Sequence, residues 1–192
     1  SNGWVDRGDS SSDFISAALD RVAYANSPYV EVLVGGPRML GYVGRERPAA
    51  GAWATGDLGT LDAEGCLRIQ GRRRNVFITA YGRNVSPEWV EAELLQHAAI
   101  AQAAVYGEAR PWNVAVIVPA RPDLAASAID RAVEAVNAGL PDYARIGAWI
   151  RAASHFHAGN GLATANGRPC RAPIWQRHAA ELNRLYESAT IS

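Results

Sequence analysis

The spacing of apolar residues divides the chain into a β-rich front and a mixed α/β remainder. Between Asp13 and Ala25, Phe14, Ala18, Leu19 and Val22 recur at helical spacing, with serine and aspartate available as caps, which predicts a short helix. Residues 6–13 ahead of it are polar and expected to be mobile, and Ser1-Asn2 resembles the scar of a protease cleavage. Tyr29–Val34 reads as a strand broken by Gly35-Gly36-Pro37. Leu61 to Leu67 reads as strand, turn, strand, continuing through Arg68-Ile69-Gln70, so the front to about Gly71 is expected to form a small antiparallel β unit. A further β segment, Val76–Ala80, runs into Tyr81-Gly82.

Beyond it, Ser86-Pro87-Glu88 supplies a cap, a first-turn proline and an early acid for a helix that presents Val90, Leu94 and Leu95 and ends near His97. Ala103–Tyr106 and Val114–Val118 are β-rich runs separated by Gly107 and Pro111, the pattern of a hairpin. Ala125–Ala138 is helical, with Ile129, Val133 and Val136 on one face and Gly139 as its stop. Ala148–Ala153 is expected to be a strand, and Pro173–Glu187 a last helix with Ile174, His178, Leu182 and Leu185 in register. No internal repeat is visible. The expected joint lies at Arg72–Asn75.

Composition narrows the chemistry more than the fold. Of 192 residues, 48% are hydrophobic and 20% charged, and 19 basic residues balance 19 acidic ones. A chain of this length buries an ample core without a disulfide or metal staple. The neutral balance disfavours nucleic acid or an anionic membrane surface as partner. No apolar run approaches the roughly 20 residues of a membrane span. Two cysteines, Cys66 and Cys170, are too few for a disulfide scaffold and fit a reducing cytoplasm. All 19 basic residues are arginine. Within these residues that excludes Schiff-base chemistry, a Walker-type loop with its lysine, and a lysine general base. A GC-rich coding sequence accounts for both the missing lysine and the abundant alanine.

Several positions offer chemistry. Thr55-Gly56-Asp57-Leu58-Gly59 sets a carboxylate between glycines ahead of the hairpin. Asp57 is able to accept two hydrogen bonds from a vicinal diol such as ribose, or to satisfy its own turn. Arg72-Arg73-Arg74 is either a phosphate-binding patch or a solvated charge run. Gly159–Gly167 reads as a flexible loop that carries Arg168 and Arg171 behind it, poised over an anion or simply exposed. His155 and His157 have no third ligand at metal spacing, so no metal is expected on this chain. His97 and His178 read as structural, and neither cysteine has a partner that would make it a nucleophile.

The order of these pieces carries a resemblance. Gly41-Tyr42 comes first, then Trp53 to Gly59 (WATGDLG), Gly71 to Ile78 (GRRRNVFI) and Gly82 to Glu91 (GRNVSPEWVE). Together with Gly161 to Arg171 (GLATANGRPCR), they resemble the adenylate-forming superfamily of acyl- and aryl-CoA synthetases, adenylation domains and luciferases. The spelling is most like that of long-chain fatty acid CoA ligases, and the likeness runs from about Val30 to Leu185. It implies an α+β fold: residues 29–71 as the last β subdomain of a large N-terminal domain, 72–75 as a hinge, and 76–192 as the mobile C-terminal lid domain. Residues 1–28 would hold the tag remnant, the mobile segment and the short helix.

The resemblance also implies a two-step ligase using Mg2+-ATP and CoA, in which a carboxylic acid becomes an acyl-adenylate and then a thioester. By carry-over, Asp57 would hold the adenylate ribose, Arg72 would contact ribose or phosphate, and Arg74 would be the hinge residue. Tyr81, Gly82 and Arg83 would line the CoA passage. Arg168 stands at the position of the family's catalytic lysine. Arginine keeps the charge but is longer, planar and prefers paired contacts, so the exchange is not conservative. The large domain with the phosphate loop and acyl pocket does not precede Val30 in this sequence. The chain is therefore expected to be silent alone and to need that domain as its partner. Two alternatives remain: an acyl-adenylate ligase loading a carrier protein, or a non-catalytic stand-alone domain that binds a carrier or another partner.

Overall fold

The computed structural model describes residues 16–20, 30–35, 53–61 and 66–188. Gly41-Tyr42, residues 1–15 and the tip of the Leu61–Leu67 turn lie outside the described residues. The chain divides into two compact units, Ser1–Val76 and Phe77–Ser192.

The first unit is a four-stranded antiparallel sheet in sequential order: β1 (Ser16–Asp20), β2 (Val30–Gly35), β3 (Trp53–Leu61) and β4 (Leu67–Arg72). The expected helix over Asp13–Ala25 is overturned where it is described. Ser16 pairs with Gly35 and Asp20 with Glu31, so this stretch completes the hydrogen bonds of β2. A ladder of that length outweighs the weak helical preference of Ser-Ala-Ala-Leu-Asp, because propensity yields to tertiary pairing. A register shift at Leu58/Gly59 precedes the point where Asp57 stands opposite Arg72. A 3-10 turn, Arg73–Asn75, follows β4.

The second unit begins with a hairpin, β5 (Phe77–Ile78) and β6 (Asn84–Val85), shorter than the expected Val76–Ala80 strand because the backbone turns at Thr79. Helix α1 (Pro87–Leu95) follows, then β7 (Ile100–Tyr106), β8 (Asn113–Pro119), α2 (Ala126–Gly139), β9 (Ile146–Arg151) and α3 (Arg171–Ser188). Strands β7 and β8 form the expected antiparallel hairpin, and α2 crosses over to lay β9 parallel to β8. Strand β8 is central and buried throughout, which explains its unbroken apolar run.

Alternation along β8 builds two cores. Ala115 and Ile117 face α1 and α2 through Val90, Leu94, Ile129, Val133 and Val136. Val114, Val116 and Val118 face α3 and the segment before it, through Phe156, Leu162, Ile174 and Leu182. The unit is thus a three-layer α/β body. Two details of helix phase differ from expectation. Leu95 is exposed while Glu91 is buried beside Val90, and Tyr186 rather than Leu185 is buried on α3.

Candidate functional site

In the first unit, Asp57 and Arg72 are brought together. They stand opposite each other on β3 and β4, with Arg72 Nε 2.8 Å from Asp57 Oδ1. Local backbone chemistry fixes the carboxylate. Gly56 adopts a φ of 74°, a conformation that glycine tolerates without strain. The Thr55 hydroxyl donates to the Val32 carbonyl at 2.9 Å and accepts the Asp57 N–H at 3.0 Å. Arg72 Nη1 donates to the Thr55 carbonyl at 3.2 Å, which aligns its guanidinium along the strand edge. The side chains remain partly open, 26% exposed for Asp57 and 40% for Arg72. An ion pair this wet contributes about 0–1 kcal/mol to stability. Its main effect is to hold an anionic oxygen in one place.

Arg73 and Arg74 part company with Arg72. Arg73 Nη1 bonds Glu31 Oε2 at 3.0 Å, and Glu31 is buried on β2. The sequence reading missed this pair, because Glu31 alternates with apolar neighbours like any solvent-facing strand residue. Arg74 is exposed in the 3-10 turn.

In the second unit, Tyr81 and Gly82 form the tip of the β5–β6 hairpin. The Thr79 N–H donates to the Arg83 carbonyl at 2.9 Å, and the Gly82 N–H to the Thr79 carbonyl at 3.0 Å. Gly82 has a φ of 71°, and Tyr81 is 75% exposed. The tip is braced from behind, since the Ala109 N–H donates to Ile78 and the Ala80 N–H to Arg110. Arg83 lies over the Tyr143 ring, 4.8 Å from its centroid, a cation–π contact that orients its guanidinium.

Arg168 sits on an exposed turn, but the segment before it is not the loose loop that its composition suggested. The Asn160 side chain alone makes bonds to the His155 carbonyl, the His157 N–H and the Leu162 N–H. The Thr164 N–H donates to the Arg168 carbonyl, the Gly167 N–H to Thr164, and the Cys170 N–H to Leu162, closing a tight hairpin. The Thr164 hydroxyl accepts the Arg168 N–H at 3.2 Å. The Arg168 guanidinium has no bonded partner among the described residues.

Arg171, three residues on, is not a second loop cation. Its Nη1 and Nη2 reach Glu91 Oε1 and Oε2 at 2.5 and 2.7 Å, a paired contact between α3 and α1. The Val105 N–H donates to the same carboxylate at 2.7 Å, and the Tyr106 hydroxyl donates to the Arg171 carbonyl at 2.9 Å. Burial pushes the Glu91 carboxyl above the usual range, opposed by Arg171 and the Val105 N–H. Burial likewise pushes the Tyr106 hydroxyl up. The one sequence signal for this pair was a glutamate on the apolar stripe of α1, between Val90 and Leu94. Ser86 precedes α1 at the cap position, yet its hydroxyl faces Glu88 at 3.4 Å instead of a backbone N–H.

Among the described residues, no three His, Cys, Asp or Glu side chains converge to hold a metal, and no helix is long and apolar enough to cross a membrane. Cys66 and Cys170 are both free thiols.

Residues 74–190 match the family model described as the AMP-binding enzyme C-terminal domain. A long-chain-fatty-acid–CoA ligase of Mycobacterium tuberculosis is 41% identical over 93 residues, 45% of this chain and 16% of its own length. A 2-succinylbenzoate–CoA ligase of Bacillus subtilis is 36% identical over 104 residues, 50% of this chain and 21% of its own. The matches therefore span about a fifth or less of these relatives. Among solved structures, the o-succinylbenzoate CoA synthetase of Bacillus subtilis with its acyl-adenylate intermediate has a TM-score of 0.62 at 27% identity, covering 81% of this chain and 32% of that one. The A domain of a carboxylic acid reductase from Segniliparus rugosus has a TM-score of 0.70 at 24% identity, over 86% and 29%, a likeness of fold.

Proposed function

The chain belongs to the AMP-binding enzyme C-terminal domain family, and from that membership we propose that it works as part of an ATP-dependent acid–CoA ligase. In the first step a carboxylate oxygen of the acid attacks the α-phosphorus of Mg2+-ATP and pyrophosphate leaves, giving an acyl-adenylate. In the second step the CoA sulfur attacks the acyl carbon, its proton is lost, and AMP leaves with the bonding electrons.

The observation that carries this reading is the Asp57–Arg72 pair. A diol needs an acceptor with two lone pairs at fixed distance, and Asp57 is held by the Arg72 guanidinium on its carboxylate and by the Thr55 hydroxyl on its backbone N–H. In this proposal Asp57 accepts the ribose hydroxyls of the adenylate and Arg72 contacts ribose or phosphate from the adjoining strand. Arg74 is the pivot of a 72–75 hinge, since Arg72 and Arg73 are both tied to carboxylates of their own sheet and Arg74 is exposed. Tyr81, Gly82 and Arg83 line the CoA passage during thioester formation. Arg168 supplies positive charge to the carboxylate and α-phosphate as charge reorganises in the first step.

The acid is fatty or otherwise hydrophobic, a choice supported by the Mycobacterium tuberculosis relative. The reaction is assigned to the cytoplasm, where free thiols such as Cys66 and Cys170 stay reduced.

The test is a panel of acids on the complete protein, from acetate to palmitate with benzoate and 2-succinylbenzoate. Acid-dependent release of AMP and a matching acyl-CoA is the expected result, and no AMP with any acid would overturn the reading. Residues 1–192 alone are expected to give no ATP–pyrophosphate exchange, because catalysis needs the nucleotide held by donors beyond these.

A further inference from the structure

The hairpin that presents Arg168 has its base fixed at one buried point. It leaves the core at Leu162, turns at Thr164–Gly167, and returns through Pro169 and Cys170 directly into the first turn of α3. There Arg171 plugs both guanidinium nitrogens into Glu91, whose carboxylate is 8% exposed and also bound by the Val105 N–H. Arg171 Nη1 also donates to the Val105 carbonyl at 3.3 Å. This anchor follows Arg168 by three positions along the chain, a span of at most about 10 Å when extended. A one-ångström displacement of a charge in a reacting site costs about a hundredfold in rate.

We propose that Glu91 is a positioning residue for adenylation: through Arg171 it fixes the base of the Arg168 hairpin and so the place of the Arg168 charge. This rests on the role given to Arg168 above. Glu91 itself is buried on α1, where Arg171 of α3 and the Val105 N–H occupy its carboxylate. The arrangement differs from a general stabilising pair in what it holds. One end lies on β7 and α1, the packed body of the unit, and the other is the first residue after the hairpin.

The experiment is a cycle of Glu91→Gln and Arg168→Ala in the complete protein. It reads acid-dependent ATP–pyrophosphate exchange and, separately, CoA-dependent consumption of supplied acyl-adenylate, with the acid that the panel identifies. Glu91→Gln keeps the side-chain shape and removes the charge. The expected loss is about 10–100-fold in kcat for exchange, with KM for ATP within about twofold and thioester formation within about twofold. In the Arg168→Ala background the substitution should have no further effect on exchange. Amide hydrogen exchange should quicken at residues 162–170 and stay unchanged in β8 and in β7 apart from Val105, whose N–H bonds Glu91 itself.

Equal loss in both half-reactions, an undiminished loss in the Arg168→Ala background, or faster exchange throughout β7 and β8 would reduce Glu91 to a structural residue and overturn the proposal. If Arg168→Ala alone leaves exchange unchanged, the Arg168 reading falls and takes this one with it; the two failures are therefore told apart. Should Glu91→Gln not fold, Arg171→Lys enters the same cycle, keeping the charge while losing the paired contact.

Discussion

Arg72 in the first unit and Arg168 in the second, both proposed above to meet the nucleotide, are held in opposite ways. Arg72 lies on Asp57, and its neighbour Arg73 lies on Glu31, so the sheet satisfies its cations with its own carboxylates. Arg168 is carried on an exposed turn with its guanidinium unbonded among the described residues, while Arg171 three positions later takes the buried carboxylate. In the sheet, one pair both orients and offers the polar group. In the hairpin, under the proposal, orientation and offering fall to two different arginines. A side chain that must meet its ligand only in one conformation gains from that separation, because its charge is not neutralised by a partner it would have to leave.

The largest expected effect that would break this comparison concerns stability. Arg171→Ala leaves Glu91 buried and unpaired and should destabilise the second unit by about 3–5 kcal/mol. Arg168→Ala should stay within about 0.5 kcal/mol, as for an ordinary surface change. Urea unfolding of both variants reads the difference, and equal losses would erase the distinction between the two arginines. Next is Asp57→Ala in the complete protein. It should lower kcat/KM for ATP about a hundredfold, the scale of removing one preorganised polar partner, while leaving the unfolding midpoint almost unmoved. A large stability loss without a kinetic one would make the pair structural.

The smallest effect appears only in alkali. Burial pushes the Tyr186 hydroxyl up from 10.0 to about 12, with Arg110, stacked on its ring, pulling the other way. A raised value in the folded state means that this contribution is intact below pH about 10 and is lost as pH rises toward 12. Tyr186→Phe should flatten that part of the stability profile of the second unit. An unchanged slope would assign it to other groups.

Much of the second unit was legible in the sequence because its elements are strongly periodic. The β7–β8 hairpin, α2 with Ile129, Val133 and Val136, and α3 with Ile174 and Leu182 all follow from spacing alone. The Ser16–Asp20 strand was not legible, since its conformation depends on pairing with a distant β2 and its own residues prefer a helix. Asp57 and Arg72 were found as candidates, but their cross-strand pairing depends on the register set by the bulge at Leu58/Gly59. Glu91 and Arg171 meet across 80 residues, and no local pattern announces a pair that separated. The order around the hairpin that carries Arg168 is hidden from the sequence for a related reason. Gly, Asn, Ala and Thr read as loose by composition, whereas a single Asn160 side chain ties three backbone groups together.

The most direct test of the account is Arg168 itself, measured in both half-reactions of the complete protein. Arg168→Ala should cut acid-dependent ATP–pyrophosphate exchange about 10²–10³-fold and leave thioester formation from supplied acyl-adenylate within about twofold. Arg168→Lys should hold or raise the exchange rate. No change in exchange on removing the charge, or an equal loss in both half-reactions, would contradict the role assigned to this hairpin.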